Sequence, residues 1–234
     1  MIKPNIKYIA FDADDTLWDN EPFYRALEHV FNEIMLDKMT PEESSAELFK
    51  TEIENLPLFG YGAKAYTLSI LETALRLSND TLPAASVRRI LDAGKQLTDS
   101  PLVLLDNVEE VLKALAPKYK LILATKGDLL DQERKLKKSR LEKYFHHIEI
   151  MSDKQTADYK KLFQHLEIEA KEFLMIGNSM RSDISPVVEL GGYAIHIPYH
   201  TTWEHEKMDI VDLPKDRFME IDTLLNIPEK CPWI

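Results

Sequence analysis

Three short polar clusters, each directly after a brief apolar run, carry the reactive chemistry of this chain. The first is Asp12-Ala13-Asp14-Asp15-Thr16, following Tyr8-Ile9-Ala10-Phe11. Carboxylates crowded this closely repel one another, and the repulsion must be offset by a cation or a proton. The bland alternative is a solvated acidic turn that caps the next helix. The second cluster is Thr125-Lys126-Gly127-Asp128, following Leu121-Ile122-Leu123-Ala124. A small hydroxyl and a glycine at a strand-to-helix turn direct backbone N–H groups outward, which cradles an anion. The alternative is an ordinary turn with Asp128 as the cap. The third runs from Gly177 through Asn178 to Asp183, after Phe173-Leu174-Met175-Ile176. Gly177 permits a tight turn, and Asn178 and Asp183 offer oxygens near one rim; alone, this too reads as turn plus cap.

The elements that must position these clusters follow from the pattern between them. The apolar runs at 8–11, 121–124, 147–150, 173–176 and 193–197 read as short strands. Helical periodicity separates them. Asp106-Asn107 can cap a helix that turns Val108, Val111, Leu112 and Leu115 to one face, and Thr156 can cap one with Tyr159, Leu162, Phe163 and Leu166 inward. Strands alternating with helices predict a Rossmann-like α/β core, a parallel sheet covered by helices on both faces. In such sheets ligands bind outside the carboxyl ends of the strands, so the three clusters converge there. The stretch 18–99 breaks the alternation with a helical stripe from Phe23 to Met35 and helical patterns near 41–55, 63–78 and 84–97. It reads as an inserted all-α, four-helix cap, with the core made of 1–17 and 100–234. Two connections of that kind suit a lid over a site.

Composition excludes several classes. The 234 residues carry a net charge of −11, with 44% hydrophobic and 29% charged residues. An acidic surface repels phosphate backbones and anionic lipid, which disfavours nucleic-acid and membrane partners. No apolar stretch approaches the roughly 20 residues of a spanning helix. The run 8–11 is too short for a signal-peptide core. The single cysteine, Cys231, forms no internal disulfide and fits a reducing cytoplasm. A monomer or weak homodimer is expected.

Taken together, the clusters resemble the motifs of the haloacid dehalogenase-like (HAD) hydrolases. Asp12-Ala13-Asp14-Asp15-Thr16 is similar to the first motif, D-x-D-x-T, and Thr125 to the hydroxyl of the second. Gln132, Lys135-Leu136, Leu141 and Tyr144-Phe145 resemble the segment that follows it. Lys154 falls where the third-motif lysine is expected, and Gly177 to Asp183 resembles the fourth motif, G-D-x-x-x-x-D. The insertion resembles the C1 cap of that family. The resemblance implies a phosphatase of small phosphorylated metabolites, with Asp12 as nucleophile and Asp14 as general acid and base. It implies phosphoryl contacts from Thr125, Lys126 and Lys154. It also implies Mg²⁺ held by Asp12, the Asp14 main-chain carbonyl, Asn178 and Asp183. Relatives of this fold suggest other readings: a phosphomutase, a 2-haloacid dehalogenase, or a non-catalytic binding protein. Asp14 argues against the dehalogenase.

The chain departs from the pattern twice. Asn178 stands where aspartate is usual, which removes one negative charge. Lys126 stands where asparagine is common, and either faces an anionic substrate or points to solvent. Lys160 and Lys161 are alternatives to Lys154, but their helix turns Tyr159, Leu162 and Phe163 inward. In the cap, the segment 58–64 with Tyr61 and Lys64 either dips towards the site or simply connects two helices. Trp18 and Asp19 are placed to line the entrance. His200, Glu204, His205 and Glu206 could imitate a metal site, but Trp203 more plausibly anchors that segment on the core.

Overall fold

The computed structural model describes residues 4–206, 208 and 213–234. The start of the N-terminal stretch, residues 1–3, lies outside them. The chain divides into two compact units. One comprises 1–21, 102–126 and 132–234; the other comprises 22–101 with 127–131. The boundaries expected after 17 and 99 therefore fall a few residues later. Trp18 explains part of the shift, because it is buried among core residues of the first unit. The short piece 127–131 groups with the helices, which composition does not reveal.

The first unit is a six-stranded parallel sheet in the order β3-β2-β1-β4-β5-β6. The strands are β1 (Tyr8–Phe11), β2 (Lys120–Lys126), β3 (His147–Met151), β4 (Phe173–Gly177), β5 (Tyr193–His196) and β6 (Phe218–Glu220). Side chains alternate across a strand, so each strand feeds two cores. Ile9, Phe11, Leu121, Leu123, Leu174 and Ile176 pack with α5 (Val108–Leu115) and the C-terminal Ile227 and Trp233. Ala10, Ile122, Ala124, Phe173 and Met175 pack with α7 (Thr156–His165) and with Val187 of α8 (Ser185–Glu189). Strand β6 was not expected; its three residues have no apolar alternation and are drawn in by pairing of Phe218 with Ala194. Two caps also differ. Asn107 precedes α5 in the left-handed region (φ 63°) without a side-chain cap bond. Gln155, not Thr156, stands at the cap position of α7, and Thr156 donates instead to Glu189.

The second unit is built on α1 (Glu21–Met35), α2 (Pro41–Phe59), α3 (Ala63–Leu77) and α4 (Ala84–Thr98). Its core joins Leu27, Phe31, Met35, Leu48, Ile70, Ala74 and Ile90. A reciprocal Thr40–Glu43 capping box starts α2. That helix runs on through Pro57, so Leu58 and Phe59 form its last turn rather than a loop. The connection shrinks to 60–62, where Gly60 and Gly62 take positive φ. Of the remaining helices, α6 (Leu129–Ser139) lies in the first unit from residue 132 on, and α9 (Ile227–Lys230) lies wholly in it.

Candidate active site

Strand β1 pairs with β2 on one side and β4 on the other, so the sheet changes winding direction beside it. Such switch points open a crevice at the strand ends. Asp12 is the first residue past β1, and its N–H donates to Ile176 O at 2.9 Å. The residue is 7% exposed. One oxygen accepts from Lys154 Nζ at 2.5 Å and the other from Thr16 Oγ1 at 3.1 Å. Lys154 is buried as well, and its Nζ also reaches Asp183 Oδ1 at 2.6 Å. The second Asp183 oxygen accepts from the Ser179 N–H at 3.0 Å. Gly177 is required at this point, because a Cβ there would stand 2.2 Å from Asp183 Oδ2. Thr16 Oγ1 lies 3.3 Å from Asn178 Oδ1, which ties the first and third clusters together.

Lys154, Asp12 and Asp183 thus share one buried cation. Burial pushes Asp12 up to about 7, with Asp183 and Asp14 adding repulsion that the Lys154 charge only partly relieves. Burial would lower Lys154, but the two carboxylates outweigh it and raise its pKa. The two carboxylates thus favour the charged form of the lysine.

Asp14 is turned elsewhere. Its Oδ1 accepts from Trp18 Nε1 at 2.6 Å and its Oδ2 from Gln132 Nε2 at 2.8 Å. Lys135 Nζ lies 3.0 Å from both oxygens and 2.7 Å from Asn20 Oδ1. Asp15, held at φ 61°, accepts from the N–H groups of Asn20 and Glu21. Burial raises its pKa to about 8 against those bonds.

The structure therefore brings Asp12, Lys154, Asn178 and Asp183 into one hydrogen-bonded network, with Asp14 two residues on. Thr125 is buried at the end of β2, the neighbour of β1. Other expected residues go elsewhere. Trp18 does not line an entrance: it is 1% exposed and its indole serves Asp14. Asp19 accepts from the Tyr199 hydroxyl at 2.7 Å. Lys126 takes neither of its two expected positions; it pairs with Glu206 and donates to Ser182. Lys64 pairs with Asp128 at 2.7 Å inside the helical unit, and Tyr61 is half-buried there. The role of Glu206 was missed, as were the bonds from Gln132 and Lys135 to Asp14. Gln132 and Lys135 carried a signal in their resemblance to the family segment after the second motif; Glu206 carried none beyond its charge. Among the described residues, no group of three or more His, Cys, Asp and Glu is arranged to hold a metal.

The donor set nevertheless suits a hard divalent cation. The side-chain oxygens of Asp12, Asn178 and Asp183 meet through Thr16 and Lys154, and two of these residues already share a positive charge.

A family model of haloacid dehalogenase-like hydrolases matches residues 6–191, and the chain belongs to that family. A haloacid dehalogenase-like family hydrolase from Xanthomonas campestris is 35% identical, with a TM-score of 0.86 over 97% of this chain and 91% of that one. A putative HAD hydrolase from Bacillus subtilis, bound to magnesium, is 16% identical with a TM-score of 0.66, covering 95% and 97%. A predicted phosphoglycolate phosphatase from Haemophilus somnus is 19% identical with a TM-score of 0.62, covering 96% and 97%. Structures of 2-haloacid dehalogenases share the fold too. No curated protein matches the sequence.

Proposed function

We propose that the protein is a Mg²⁺-dependent phosphatase of small phosphate monoesters. The observation that carries this reading is the buried Asp12–Lys154–Asp183 triad at the switch point, with a second carboxylate, Asp14, two residues along. A carboxylate beside a fixed ammonium suits attack on an anionic phosphoryl group, whose charge Lys154 offsets. Asp12 forms the new O–P bond while the ester O–P bond breaks, leaving an aspartyl-phosphate. Asp14 gives the departing oxygen a proton. It then takes one from the water that releases inorganic phosphate and restores Asp12. Since the Asp14 oxygens are engaged by Trp18, Gln132 and Lys135, one of these donors must yield for each proton transfer. Thr125 and Lys154 hold the phosphoryl oxygens.

Asp12, Asn178, Asp183 and the Asp14 carbonyl would hold Mg²⁺, which supplies positive charge between the phosphate and the carboxylates. The charge is needed. A unit pair of like charges at 4 Å costs about 1 kcal/mol in water and about 4 at an effective dielectric of 20. Asp14 favours phosphoryl transfer over the dehalogenase reading, which calls for no proton donor there.

The test is phosphate release from a panel of phosphorylated metabolites with Mg²⁺. Wild type is expected to turn over at least one member. Excess EDTA is expected to abolish turnover, and Asp12→Asn to lower it by at least about 10³-fold. Chloride release from a 2-haloacid without phosphate release, or full activity in EDTA, would overturn the proposal.

A further inference from the structure

Lys126 follows Thr125 at the end of β2, where a free ammonium would attract a second negative group on a substrate. Its charge is already committed. Lys126 Nζ pairs with Glu206, and the two side chains are only 15% and 12% exposed. The same ammonium donates to Ser182 Oγ at 2.9 Å. The hydroxyls of Ser179 and Ser182 donate to the other Glu206 oxygen at 2.5 and 2.6 Å. Burial opposes the Glu206 charge, but Lys126 and these hydroxyls outweigh it and hold the carboxyl down at about 2.

The pair rests on the turn that carries Asn178 and Asp183. Ser182 precedes Asp183, and its carbonyl accepts from the Tyr159 hydroxyl at 3.0 Å. The segment that delivers Glu206 is anchored twice more: Arg181 donates to His205 O at 3.0 Å, and Tyr199 to Asp19 at 2.7 Å. Glu206 lies beyond residue 191, where the family match ends. A substrate carboxylate near Lys126 would meet Glu206 as well, inside a chain of net charge −11. It would lose its water and gain no unshared cation.

We propose that Glu206 is a specificity-determining residue: by neutralising Lys126 it restricts the protein to phosphate monoesters whose remaining part is uncharged, such as polyol or sugar phosphates. This rests on the phosphatase reading. Discrimination works by withholding a partner from the second anion, rather than by adding contacts to the neutral group.

The experiment compares kcat/KM of the full chain with Mg²⁺ on two three-carbon esters, glycerol 3-phosphate and 3-phosphoglycerate, which differ by a carboxylate. Wild type is expected to favour glycerol phosphate at least about tenfold. Glu206→Gln keeps the side-chain size and an acceptor for the serines, but frees the Lys126 charge. It is expected to move the ratio at least about tenfold towards phosphoglycerate, mainly through KM. Adding Lys126→Met to that variant is expected to cancel the gain. A purely structural role for Glu206 would depress both esters alike and leave the ratio unchanged, which overturns the inference. A wild-type preference for phosphoglycerate overturns it without any variant. If wild type releases phosphate from no ester in the panel, the phosphatase reading itself fails.

Discussion

The two units bury polar groups for different purposes. In the helical unit, buried hydroxyls mostly bond one turn back along their own helix: Thr67 to Ala63 O, Ser69 to Ala65 O and Thr73 to Ser69 O. Its longer ties, such as Asn55 to Ser69 and Glu72, join neighbouring helices through an amide. In the α/β unit, buried charged groups also meet across long stretches of chain. Lys154 reaches back to Asp12, Lys135 to Asp14, and Glu206 to Lys126. Local polar bonds satisfy a helix at little cost. Long-range buried charge must be assembled against desolvation, and it gathers here at the strand ends.

The largest test of that contrast is Lys154→Met. Removing the shared cation leaves Asp12 and Asp183 buried without their partner, which is expected to cost about 3–5 kcal/mol. Asn55→Ala in the helical unit removes an uncharged amide from its bonds to Ser69 and Glu72 and is expected to cost only about 1–2 kcal/mol. Urea unfolding of both variants in metal-free buffer gives the comparison. Equal losses would mean that the charged network is no more than a packing device.

A smaller effect has a defined pH signature. The Lys126 charge and the serine hydroxyls hold the Glu206 carboxyl at about 2 in the fold, below its ordinary 4.5. The native state binds fewer protons than the unfolded chain between those values, so stability rises with pH across that window. The contribution is complete above about pH 4.5 and is lost as pH falls through 2. At 1.36 kcal/mol per unit the shift corresponds to roughly 3 kcal/mol, and partial exposure reduces it to about 2. Glu206→Gln is therefore expected to cost about 2 kcal/mol at pH 7 and about half as much near pH 3. A pH-independent loss would show that the carboxylate charge is not what holds the segment.

The same contrast explains what could be read from the sequence. The three strand-end clusters were visible because each is contiguous and follows an apolar run. Lys154 was singled out by the resemblance to the third motif, and the structure sets it on both carboxylates. Partners recruited from afar left no such trace. Glu206 belongs to a segment without periodicity, and nothing local announces that it will meet Lys126. Trp18 looked available because it follows the acidic cluster. Its indole is instead drawn into the core by apolar area and by the Asp14 acceptor. In the helical unit the periodicity located four helices. It stopped α2 early, because Pro57 forfeits one hydrogen bond near the helix end without breaking it.

The smallest predicted effect probes the packing of the helical unit alone. Gly94 lies in α4, and a Cβ there would stand 2.5 Å from Thr67 Oγ1 and 2.6 Å from Thr67 Cγ2. Rotating Thr67 brings no relief, because both branches are close and its hydroxyl is fixed to Ala63 O at 2.7 Å. Alanine gains about 1 kcal/mol in helix propensity over glycine. Overpacking costs about 1–3 kcal/mol and should outweigh it. Gly94→Ala is expected to lose about 1 kcal/mol net, read by urea unfolding. Adding Thr67→Ala removes both crowding branches and is expected to recover that loss, exposing the propensity gain. If Gly94→Ala alone stabilises the protein, the α3–α4 contact yields more easily than its geometry implies. The division between a forgiving helical unit and a demanding strand-end site would then be sharper still.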